Sequence, residues 1–136
     1  MTRRILLGFV AGFVATLVFH QIALWVLHYF HYVDRAPWAM KPVPPWGVPA
    51  VISLAFWGGV WGAIMIAILA KSRNLLLAST IFGAVLPTLA AAFIVAPLKH
   101  QPIPHSGKLL VIGLIVNGAW GLGTALIYRL FPGRYR

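Results

Sequence analysis

Polar positions divide this chain into four long apolar runs. The first extends from Ile5 to about Val33, and the second is Ala50–Ala70. The third is Leu75–Pro97, and the fourth runs from Leu109 to about Phe131. Each reaches the roughly 20 residues needed to cross a hydrocarbon core of about 30 Å, and none carries a charge in its middle. The first would be about 43 Å long as a helix, so its last turns, with His28, Tyr29, His31 and Tyr32, are expected in the interface. Lys71-Ser72-Arg73-Asn74 stops the second run, and Pro132-Gly133 stops the fourth. Pro87 falls mid-way along the third run, where it is expected to kink the helix and free the carbonyl of Gly83.

The two remaining breaks share one pattern. Ala36-Pro37-Trp38-Ala39-Met40-Lys41-Pro42-Val43-Pro44-Pro45-Trp46-Gly47 recurs sixty positions later as Ala96-Pro97-Leu98-Lys99-His100-Gln101-Pro102-Ile103-Pro104-His105-Ser106-Gly107. Both read A-P-x4-P-[V/I]-P-x2-G, and each is followed by a G-x-W-G echo, at Gly59–Gly62 and Gly118–Gly121. Proline cannot donate to a helix ladder and restricts the residue before it, so both loops interrupt regular structure. The pattern predicts an all-α integral membrane protein, 1–136 as one domain. Its four transmembrane helices form two tandem parallel-repeat hairpins, over 5–70 and 75–131. Each Pro-[Val/Ile]-Pro triplet predicts a stiff, polyproline-like loop, the two lying side by side over one end of the bundle.

Composition supports lipid as the solvent. Apolar residues make up 61% of the 136 and charged residues only 9%, against soluble averages of about 45–50% and 25%. The net charge of +10 does not form a stripe suited to nucleic acid, and anionic lipid headgroups are the plainer partner. Seven cations (Arg3, Arg4, Lys71, Arg73, Arg129, Arg134, Arg136) fall at one side of the four runs. Four (Arg35, Lys41, Lys99, Lys108) fall at the other, with Asp34. This bias predicts cytoplasmic N- and C-termini and outward proline loops. Trp25, Trp38, Trp46 and Trp57 then form an outer aromatic belt, with Tyr128 and Tyr135 at the inner one. Thr2-Arg3-Arg4 precedes an apolar run too long for a cleavable signal.

Small residues in Gly8-x3-Gly12, in Gly58-x3-Gly62 and around Gly118–Gly123 predict packing faces between spans of the same chain. A polar layer is predicted in the outer third of the bundle. Counting down from the outer ends places His20 about 10 Å deep, Asn117 about 12 Å and Thr88 about 13 Å, with Gln21 and Trp57 near the same level. Such groups either bond between helices to fix register or mark a site.

Histidine gives the candidate cofactor chemistry. His28, His31, His100 and His105 gather toward one interface beside Asp34, so they are candidate ligands for a metal or haem iron, or else interfacial anchors. His20, with the small Thr16 four residues before it, is a candidate ligand for haem or a chlorophyll-type magnesium. What is missing narrows the function further. There is no Glu and no cysteine, and no Asp lies mid-membrane, so a buried carboxylate carrier of protons has no place here. No P-loop, HExxH or nucleophile–histidine–acid set is present, and no enzyme is expected.

The segment Met40–Pro49 running into Ser53-Leu54-Ala55-Phe56-Trp57-Gly58-Gly59 resembles small four-helix bacterial inner-membrane proteins. That resemblance covers the first half of the chain and implies location and helix count, not an activity. The leading expectation is a non-catalytic accessory or structural subunit, packed against a larger membrane complex or a second copy, with Trp38 and Trp46 meeting the partner. The alternatives are a small oligomeric channel or carrier for an anion or neutral solute, and a haem-, metal- or pigment-binding membrane protein.

Overall fold

A computed structural model describes residues 1–104 and 106–133; His105, Arg134, Tyr135 and Arg136, which entered the histidine, charge and aromatic expectations, lie outside the described residues. The fold is all-helical, and the described residues form four helices long and apolar enough to span a membrane. Span one is Thr2–Tyr29, span two Ala50–Leu69, span three Leu75–Leu98 and span four Gly107–Leu130. Spans two, three and four keep close to the breakers read from the sequence, whereas span one stops at Tyr29, short of the expected Val33. Asn74 caps span three in the expected way, its side chain accepting the Leu77 N–H at 3.1 Å.

Two spans are not uniform. Span one carries a π-helical turn at Thr16–His20 between its α-helical stretches Thr2–Ala15 and Gln21–Tyr29. Span three carries another at Ala91–Val95. Its α-helix continues through Pro87, and the irregular turn begins four residues later.

Span one packs along span two, and span three along span four; the two hairpins join chiefly through spans one and four, while span two touches span three much less. Within the first hairpin the contact is backbone on backbone. A methyl group on Gly12 would overlap the Gly58 carbonyl oxygen and come within 2.9 Å of the Gly62 Cα. In the second, a methyl on Gly83 would stand 2.6 Å from the Asn117 carbonyl oxygen and 2.8 Å from the Gly121 Cα. Lipid supplies no hydrophobic drive between helices, so this close approach is what gives the van der Waals contact holding them.

The hairpins meet around Trp120, which is 2% exposed. Its indole N–H donates to the Gly12 carbonyl at 3.0 Å, and the Thr16 hydroxyl donates to the same oxygen at 2.9 Å. Met65, Ile66, Ala11, Ala15, Ala125 and Tyr128 complete the core there. Tyr128 is therefore not an interfacial anchor as the belt reading expected: it is fully buried, because span four turns that face toward the other hairpin. At the end carrying both chain ends, Arg3 donates to the Pro132 and Gly133 carbonyls at 2.9 and 3.2 Å.

The first proline loop is not a polyproline rod. Pro42–Val43 (β1) pairs antiparallel with Val48–Pro49 (β2), Pro42 standing opposite Pro49 and Val43 opposite Val48. Ala50 N–H bonds the Lys41 carbonyl at 2.9 Å on the neighbouring rung, so the proline pair occupies a rung where no N–H is required. Gly47, at φ +70°, closes the turn. The second loop has no strand among its described residues, so the two loops share a sequence pattern but not a conformation.

Candidate functional site

The hairpin is fastened to span one by Trp38. Its backbone N–H donates to Gln21 Oε1 at 2.7 Å, and its indole N–H donates to the Leu17 carbonyl at 2.8 Å. Leu17 belongs to the π turn, and Gln21 follows it directly. Gln21 is 2% exposed, and its Nε2 lies 3.0 Å from His20 Nδ1. One irregular turn of span one thus presents a carbonyl and an amide that together grip a loop residue 17 to 21 positions away. Trp38 takes a left-handed φ of 49°, an uncommon conformation for a non-glycine residue that its two hydrogen bonds offset. Further out, Trp46 at the hairpin tip is 86% exposed, against 44% for Trp38. Of the two tryptophans expected to meet a partner, Trp38 grips the chain itself and Trp46 stands free in solvent or headgroups.

The polar groups read as a layer form two separate pairs. His20 and Gln21 serve the first hairpin, while Asn117 Nδ2 donates to Thr88 Oγ1 at 2.9 Å in the second. Trp57 belongs to neither; it is 58% exposed, and Phe56 packs edge-on against it at 5.6 Å. The Thr88–Asn117 pair floors an open cleft of about 400 Å3, walled by Ala92, Ala96 and Leu110 and lipped by Pro102 and Pro104. One helical turn deeper, the Gly83 and Gly121 backbones meet, so the cleft ends blind.

Among the described residues, the candidate metal ligands His28, His31 and His100 form no ligand set. His28 Nδ1 lies 3.1 Å from the Val33 carbonyl, while His31 and His100 are exposed at positive φ beyond the ends of their helices. Among the described residues no three histidine or acidic side chains gather into a ligand set. His20 has Gln21 as its partner. The residue that sequence reasoning missed is Trp120: a ring with one donor, set among Gly118, Gly121 and Gly123, was the available signal that a neighbouring backbone comes close there.

No family model matches the chain, and no curated protein or solved structure is similar to it.

The Trp38 grip makes a prediction. Trp38→Phe keeps a ring but loses the indole donor, so the Gly47 and Ala50 amides should exchange hydrogen roughly fivefold faster, as expected for one lost hydrogen bond. Gln21→Leu should act in the same direction more strongly than His20→Leu, since only Gln21 bonds the loop directly. Amide exchange in detergent measures all three, and equal protection in wild type and Trp38→Phe would contradict the grip.

Proposed function

We propose that this chain is a non-catalytic accessory subunit of the bacterial inner membrane, seated against a larger membrane complex. Its first proline loop is the docking element. The observation that supports this reading is the hairpin itself: an exposed Trp46 on a two-strand turn clamped to span one by Trp38. A clamped loop loses little conformational freedom on binding, and tryptophan is among the residues that most often carry interface energy. Both termini are cytoplasmic and the hairpin faces outward in this proposal, in keeping with the Lys and Arg count. The two halves share a loop pattern but not a surface, and docking belongs to the first copy, since Ser106 stands in the second where the first has Trp46. A conduit is a poorer reading, because the cleft between spans three and four stops at paired glycine backbones.

The tagged protein, extracted from its native membrane in mild detergent, should co-purify with one stoichiometric membrane partner. Trp46→Ala should reduce the partner's yield about tenfold or more, the scale of a central interface residue, whereas Ile103→Ala should leave it unchanged. Wild-type protein that runs alone would end this reading.

A further inference from the structure

At the end of the bundle opposite the hairpin, span one begins and span two ends around a second cavity. It holds about 380 Å3 and is lined by Met1, Arg4, Ala67, Ile68, Ala70 and Lys71. The geometry points to a binding site for one anionic phospholipid, its phosphate held between Arg4 and Lys71.

Four observations carry this. The first is an unmet demand: Arg4 Nε is buried with no hydrogen-bond partner among the described residues, and a buried donor left unmade is costly. The second is that no acidic side chain lies near enough to meet it among the described residues. Asp34 is the only acidic residue, and it lies beyond the far end of span one, which separates it from Arg4 by most of the membrane. Among the described residues, then, no acidic side chain serves Arg4 or Lys71, and an anion from outside the chain answers that demand. The third is the pairing of chemistries. A guanidinium matches phosphate oxygens through two parallel N–H bonds, and an ammonium adds a point charge. The first turn of span one, whose N–H groups have no helical acceptor, adds partial positive charge at the same end. The fourth observation selects a lipid over a free anion. The cavity's apolar wall continues along span two through Ile68 and Ile64, four residues apart on one face and 65% and 43% exposed. Acyl chains would lie along that face with the phosphate at its top.

The test uses the purified full-length protein in nanodiscs made with phosphatidylcholine and a minor share of phosphatidylglycerol. Co-retained lipid is measured by mass spectrometry after gentle release. Each cation near a membrane surface contributes about a factor of five in anionic-lipid affinity, so the wild type should enrich phosphatidylglycerol roughly thirtyfold. Arg4→Gln with Lys71→Gln should lose the enrichment, while the charge-keeping pair Arg4→Lys with Lys71→Arg should retain most of it. Lys108→Gln, at the other end of the bundle, should change nothing; circular dichroism confirms that each variant is folded. Equal retention of the two lipids by wild type, or undiminished enrichment in the double glutamine variant, would overturn the site. So would full displacement of the lipid by millimolar inorganic phosphate, which would assign the cavity to a soluble anion.

Discussion

Valine at position 12 is expected to separate the first hairpin. A single methyl group there already overlaps the Gly58 carbonyl oxygen, and the next obstacle, the Gly62 Cα at 2.9 Å, is also backbone. Backbone cannot rotate away as a side chain can, so span one must move off span two along the whole glycine seam. Overpacking into a filled core costs about 1–3 kcal/mol, and the upper end or beyond is expected where the obstacle is main chain. The same displacement pulls the Gly12 carbonyl from the Trp120 indole N–H, which couples the damage to the second hairpin. Two controls separate packing from helix propensity. Gly107 has open space around it, and a methyl on Gly118 meets nothing closer than the Ala84 Cβ, at 3.4 Å. Gly107→Ala and Gly118→Ala should therefore leave stability within a few tenths of a kcal/mol or raise it, as alanine favours the helix. Unfolding in mixed micelles with rising denaturing detergent gives the order, and Gly12→Val as stable as Gly118→Ala would contradict the seam.

Trp120→Ala should do nearly as much harm by the opposite route. The ring is 2% exposed and stands where spans one and four meet, so its loss leaves a void in the most extensive contact between the hairpins among the described residues. Replacing a buried tryptophan by alanine costs about 3–5 kcal/mol in soluble cores. Trp120→Phe should cost far less. It keeps most of the volume, and the Gly12 carbonyl still accepts the Thr16 hydroxyl at 2.9 Å, so no buried acceptor is stranded. The two hairpins are the expected units of breakdown: in Trp120→Ala a crosslink between spans one and four should fail before one between spans one and two. Simultaneous loss of both crosslinks would contradict the division.

Much of this architecture was legible because membrane helices advertise themselves. Asn74 and Pro49 mark the starts of spans three and two, and the paired glycines four apart mark which faces come together. Counting residues put Thr88 and Asn117 at similar levels of their spans, and they bond each other. Partner choice was less legible. Trp120 finds a main-chain carbonyl 108 positions away, and a backbone acceptor leaves no trace in residue identity. The same blindness hid Leu17, whose carbonyl holds Trp38. The π turns at Thr16–His20 and Ala91–Val95 have no residue code of their own. The first loop misled for a different reason. Pro42-Val43-Pro44 favours extended backbone, which suits a polyproline rod and a β-strand alike, and only the register against Val48–Pro49 decides between them. A shared side of the pattern does not specify a shared point: His31 and His100 stand beyond the ends of different helices, and among the described residues no three ligands gather.

The docking hairpin is the central claim, and crosslinking in living cells tests it most directly. A photoreactive phenylalanine analogue placed at Trp46 should yield one discrete, heavier protein adduct on illumination. The same analogue at Leu98, the last residue of span three and 76% exposed, should yield none. An adduct from position 98 with none from position 46 would contradict the account.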